Sequence, residues 1–241
     1  MNTSTRKLAM WAGVMYLLTF VFSVPTLGMK GPVADHVDFI LGSGSSTSVV
    51  WAGVFDLICG LTGIGSAVAL YPVIRRVSRS RALGFVAART LEAAVLFVGA
   101  ISLLSIVTLR QDVGGSADPD TLVIAGRQLL ALHDWSFLFG PGVMPAINAL
   151  FLATVLHQSG LVPRWMPTLG LIGGPALLVS TFGSTFDWWN QGDGVTFLLV
   201  LPIATWELSL AVYLAVKGFR SSPVLDEVDL EAVPQRQLVG A

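Results

Sequence analysis

Arg89 and Glu92 are the residues with the clearest chemistry, because of where they stand. The stretch Ala82 to Leu109, ALGFVAARTLEAAVLFVGAISLLSIVTL, is otherwise apolar and long enough to cross a bilayer, which takes about 20 such residues. A charge at the centre of a spanning helix costs about 2.5–3.5 kcal/mol, so charged side chains there turn toward protein or water. Three residues apart, Arg89 and Glu92 share one helix face. Depth sorts the chain's other intramembrane polar residues into two layers. Asn148 and Glu207 fall at the depth of Arg89 and Glu92, while Asp56, His133 and Asp134 lie nearer the opposite surface. One arginine has five donors in a planar fork, so Arg89 can bind both glutamates if the third and sixth spans touch.

Six spans position these residues. The chain of 241 residues is 54% hydrophobic and only 12% charged, against about 25% charged in soluble domains. The fold class expected is an all-α integral membrane bundle of about six helices. Residues 1–7 form a leader, residues 8–217 the transmembrane domain, and residues 218–241 a polar tail expected to be disordered. The apolar run that begins at Leu8 is longer than the core of a cleaved signal peptide, so it reads as a retained helix.

The second span, Val49–Ile74, carries Asp56 with Gly60, Gly63 and Ala67 on the same side, a pattern that predicts a closely packed face. Thr121–Leu132 reads as an amphipathic lead-in to a fourth span at about Asp134–Leu156, where Pro141 and Pro145 predict a kink or break. In the fifth span, Pro167–Phe186, Gly170 and Gly174 have the spacing of close helix packing. The sixth, Val195–Val216, holds Pro202, Trp206 and Glu207. Arginines and lysines concentrate in the leader, the Arg75–Arg81 loop, the Arg164 turn and the tail, which places both termini in the cytoplasm. Tryptophans near the span ends read as an interfacial belt.

Three segments resemble a known family: ALGFVAARTLEAAVLFVGA, HDWSFLFGPGVMPAINAL continuing through SGLVPRWMPTLGLIGGP, and LPIATWELSLAVYLAVKGF. They are similar to the bacterial multi-pass membrane family called domain of unknown function 4386. The resemblance runs from the first span to Phe219. It implies a bacterial cytoplasmic-membrane protein of about six helices, and it implies no activity.

Several function classes drop out. A net charge of −1 gives no argument for nucleic acid. One cysteine, Cys59, excludes a disulfide framework and a multi-cysteine metal site. No HExxH, GxSxG, Walker or Rossmann pattern occurs, and no cofactor or metal is expected. His36 between Asp35 and Asp38 reads as a solvated loop residue. His133 with Asp134 is too small a zinc site without Asp56 and a further ligand such as His36.

Three readings of the deep cluster stand side by side. It is an ion lock that fixes helix pairing. Or it handles a lipophilic small molecule entering from membrane lipid, with Glu92 or Glu207 as general acid, Arg89 as anion holder and Trp206 stabilising a cation over its ring. That arrangement is like a small integral-membrane terpene cyclase, a fold-level analogy without a shared motif. Or it couples a proton to transport; six spans without an internal repeat are sparse for that unless the protein forms a homo-oligomer. A sensor using the His133–Asp134 pair needs no pocket.

Overall fold

The computed structural model describes residues 3–34, 37–42, 44–113 and 118–225. Among them the chain is helical, with no strand: α1 Thr3–Met29, α2 Gly31–Ala34, a 3-10 turn Val37–Leu41, α3 Ser46–Ile74, α4 Arg79–Val113, α5 Pro119–Phe139, α6 Met144–Ser159, α7 Trp165–Thr185 and α8 Gly194–Val216. Six stretches are long and apolar enough to cross a membrane, with α5 and α6 counted together as one. Helices are the natural outcome in lipid, where every backbone polar group must find a partner within its own segment. Their hydroxyls follow the same rule: Thr62, Ser102, Thr154 and Thr205 each donate back to the carbonyl four residues earlier.

The spans close into a ring. α1 packs on α3, α3 on α4, α4 on α5 and α6, α6 on α7, α7 on α8, and α8 returns to α1. α4 and α8 therefore stand on opposite sides. The main core lies at the end where α1 begins, around Tyr16, Leu70, Phe85, Leu152, Trp206 and Leu210. A smaller cluster of Val33, Phe39, Val49, Leu103, Ile106 and Val107 caps the other end. With 35 residues, α4 is about 52 Å long, more than the hydrocarbon thickness of about 30 Å.

Several boundaries differ from the sequence expectation. α1 starts at Thr3 and takes in most of the leader, and Arg6 donates to the carbonyls of Leu214, Ala215 and Val216 at the C-terminal end of α8. The lead-in and the first part of the fourth span are one helix, α5, which Asp118 caps through the Thr121 amide. The break predicted by the prolines falls at Gly140–Val143. There the Gly142 carbonyl accepts from Thr181 Oγ1 on α7 at 2.7 Å, so the interrupted backbone is satisfied by a neighbouring helix. The start of the tail packs: Phe219 and Leu225 are buried, and the Arg220 amide donates to the Leu161 carbonyl. The tail from residue 226 on lies outside the described residues.

Glycines set the closest approaches. Gly170 receives the Trp206 ring, Gly173 the backbone of Ile203, and Gly174 the carbonyl of Ala146. Gly170 and Gly173 thus seat α8, and Gly174 faces α6. On α3, Gly60 receives Phe97, but the space where a Gly63 side chain would stand is empty for 4 Å. The expected packed face is interrupted at Gly63 and resumes at Ala67, which is buried in the main core.

At the first crossing, Gly13 lies against the backbone of Ala211 and Ala215, so a β-carbon there forces α1 and α8 apart. Gly13→Ala is expected to destabilise the protein by about 1–3 kcal/mol in chemical unfolding in detergent, the range for overpacking. Gly28→Ala on the same helix, with open space around it, is the control and should show no loss.

Candidate intramembrane polar site

Arg89 extends from α4 into the middle of the ring. Its Nη1 donates to Glu92 Oε2 at 2.9 Å and its Nη2 to Glu207 Oε1 at 2.8 Å. The bridge does not need α4 and α8 to touch, because the long arginine spans the ring between them. From α6, Asn148 Nδ2 donates to Glu92 Oε2 at 2.6 Å, so that oxygen accepts two donors. The carboxylate also orients the amide, since only its nitrogen can donate. The guanidinium sits 4.8 Å from the centre of the Tyr16 ring on α1, with Phe85 at 6.0 Å. Aromatic faces favour a cation in this position. The arginine side chain is 5% exposed, while Glu92 and Glu207 keep 15% and 17%, so the carboxylates are the reachable part of the cluster. Arg89 Nε and Asn148 Oδ1 are buried without a hydrogen-bond partner among the described residues.

All four residues assigned to the deep layer are therefore brought together. Trp206 is not part of this cluster. Next to Glu207 on the helix, it points the other way, is 1% exposed and fills the notch at Gly170. Its expected role over a cationic intermediate is replaced by packing.

The second layer has a different composition from the one expected. Asp56 pairs with Lys30, Oδ2 to Nζ at 2.8 Å, and both are buried. The lysine follows α1 and reads from the sequence as a loop charge. Instead it folds back over the Phe137 ring, 5.1 Å from its centre. Lys30 gives Asp56 the counter-ion a buried carboxylate needs. His133 is buried with Nδ1 3.2 Å from the Gly99 carbonyl, and Asp134 is exposed; both line a hollow with Lys30 and Gln191. No group of three potential metal ligands forms among the described residues, and His36 lies outside them.

Missed from the sequence were Lys30, Tyr16 and the space between the layers. Nothing in the spacing around Tyr16 marks it; the signal available for Lys30 was only an unmatched buried acid, Asp56, on a neighbouring span. The space is a cavity of about 240 Å³. Asp56 and Gly63 line it from α3, Arg89 and Glu92 from α4, Pro141 and Pro145 from the α5–α6 break, and Glu207 from α8. Leu27, Phe137 and Pro141 also wall a second, mainly apolar cavity of about 430 Å³ between α5, α7 and the start of α8. These cavities reach the side of the bundle. Val24 and Leu27 of α1 line the first and are 59% and 66% exposed, and Phe197 of α8 lines the second at 68%. At this level Leu27 of α1 and Phe197 and Val200 of α8 line the same cavity, and the buried residues of α8 begin only at Ile203.

The family model described as "Domain of unknown function (DUF4386)" matches residues 11–218, and the chain belongs to that family. No curated protein and no solved structure matches it.

Removing one member of a buried ion cluster costs more than replacing the whole cluster. Arg89→Met is expected to lose about 3–5 kcal/mol in unfolding measurements in detergent, because two buried carboxylates lose their cation. Glu207→Gln leaves one carboxylate per guanidinium and should cost less. The triple variant Arg89→Met, Glu92→Gln, Glu207→Gln should recover most of the loss. Equal stability of Arg89→Met and the parent would show that the bridge does not hold the ring.

Proposed function

We propose that this six-span protein, with both termini in the cytoplasm, binds a lipophilic small molecule inside the membrane. The molecule enters sideways between α1 and α8. Its apolar part lies along the wall of Leu27, Phe137 and Phe197, and its polar end meets Arg89, Glu92 and Glu207. The observation that carries this reading is the continuity between a buried ion cluster and lipid-facing residues: Val24 and Leu27 belong at once to the exposed surface and to the cavity that holds Glu207. A cluster serving only as an ion lock gains nothing from such an opening. Ion locks are closed over by side chains, and here Gly63 leaves the space free.

A second reading has its own support. Glu92 Oε2 accepts two donors and is held as a carboxylate acceptor. Glu207 accepts one and is the more accessible of the two. If the bound molecule is also transformed, Glu207 is the general acid, with Arg89 and Glu92 fixing its position.

The test separates a binding cavity from a structural cluster. Gly63→Leu puts a side chain into the empty space without touching any charged residue. It also removes a helix-interior glycine, which is worth up to about 1 kcal/mol. The variant is expected to be as stable as the parent or more so, and to lose the lipophilic species that mass spectrometry finds copurifying with the parent. Retention of the same species by a stable Gly63→Leu protein would place the binding elsewhere.

A further inference from the structure

The charges around the cavity do not balance. From α3 comes Asp56, matched by Lys30. From α4 come Arg89 and Glu92, and from α8 comes Glu207. The remaining polar neighbours, Tyr16 on α1 and Asn148 on α6, are a phenol and an amide. Three carboxylates thus face two fixed cations, and the surplus negative charge belongs to the Glu92–Glu207 pair. The hydrogen bonding is short on the same side. Glu92 Oε1 and Glu207 Oε2 have no donor among the described residues, and neither has the buried Asn148 Oδ1. Arg89 gives each glutamate one N–H, through Nη1 to Glu92 Oε2 and Nη2 to Glu207 Oε1, and neither of the two remaining carboxylate oxygens accepts from it. Two ionised carboxylates sharing one buried cation are disfavoured, so the pair takes up either a proton, as in the general-acid reading of Glu207, or one positive charge that carries N–H donors.

We propose that the occupant is a single-tailed primary ammonium amphiphile. This rests on the binding role proposed above and names its ligand class. The ammonium has three donors, enough to reach Glu207 Oε2 and Glu92 Oε1 together. Phe20 in the cavity wall suits a cation as well, the Phe137 ring being already covered by Lys30. The tail follows the apolar cavity toward Phe197. An anionic head is disfavoured by the same charge count, since it would add a fourth negative charge beside Glu92 and Glu207. A neutral alcohol supplies a donor but leaves the surplus charge in place.

The experiment uses the full chain in discs of zwitterionic lipid and radiolabelled dodecylamine, which is protonated at neutral pH. Dodecanol and dodecanoate, with the same tail, serve as competitors. Saturable dodecylamine binding is expected, with unlabelled dodecylamine displacing it at concentrations about tenfold or more below those of dodecanol, a factor of ten corresponding to one ordinary polar contact. Dodecanoate should compete least. Glu207→Gln balances the charges and is expected to weaken dodecylamine about tenfold while leaving dodecanol competition unchanged; Glu92→Gln answers the same question where Glu207→Gln does not fold. Dodecanol or dodecanoate competing as well as the amine in the parent, or a folded glutamine variant that keeps the amine preference, would overturn the charge assignment alone. Absence of saturable binding by labelled dodecylamine, and by dodecanol and dodecanoate each labelled in the same assay, would overturn the binding role itself.

Discussion

One guanidinium in the middle of a ring of helices is the interaction around which the structure is arranged. Taking Arg89 and two glutamates out of water is costly, and the cost is offset only when each charge finds good partners. That requirement fixes α4 and α8 across the ring from each other, brings Asn148 of α6 to the free side of Glu92, and places the Tyr16 face of α1 under the cation. Four helices are committed by a single side chain. In lipid this matters more than in water, because apolar helix surfaces gain little by exchanging lipid for one another. Small residues then decide how closely the ring can draw in, at Gly13, Gly170 and Gly173.

The same economy explains where the bundle is not filled. On the side of Arg6 and the main core, apolar side chains and glycine contacts close the ring. Beyond the arginine the packing gives way to a break in the helix at Gly140–Val143, a glycine without a neighbour at residue 63, and two cavities that share the wall of Leu27, Phe137 and Pro141. Irregular backbone at membrane depth is tolerated where it lines a cavity or is buried in protein, and the break does both: Pro141 faces the space while Thr181 satisfies the Gly142 carbonyl. The Lys30–Asp56 pair stands at the other edge of that space as a second, self-balanced pair.

Depth arithmetic along apolar runs was enough to place Arg89, Glu92, Asn148 and Glu207 at one level, and the rigid rise of the helix makes such arithmetic dependable. Helix period was enough to pair Arg89 with Glu92. What the sequence could not show is which face each helix turns to which neighbour. Trp206 and Glu207 are adjacent in sequence and point in opposite directions, so naming one as a site residue said nothing about the other. Gly63 looks like Gly60 in a list of small residues, yet one meets Phe97 and the other meets nothing. Lys30 reads as a loop charge in the sequence, yet its long flexible side chain carries the charge back into the bundle from a position just outside it.

The seam between α1 and α8 is fastened at one end only. Arg6 clasps the last carbonyls of α8, and Gly13 rests on Ala211 and Ala215. Leu27 is about 21 Å farther along α1, where it shares a cavity wall with Phe197 and Val200 of α8. Farther along, α1 is held by α3 instead, through the Phe22–Phe55 ring contact, the bond from Ser48 to the Met29 carbonyl and the Lys30–Asp56 pair, so α8 is the arm left to move. A tilt of a few degrees at the glycine crossing is magnified by that lever arm into a change of seam width beside the ion cluster. The residues that govern how wide the seam stands are therefore those at the pivot, far from anything the seam admits.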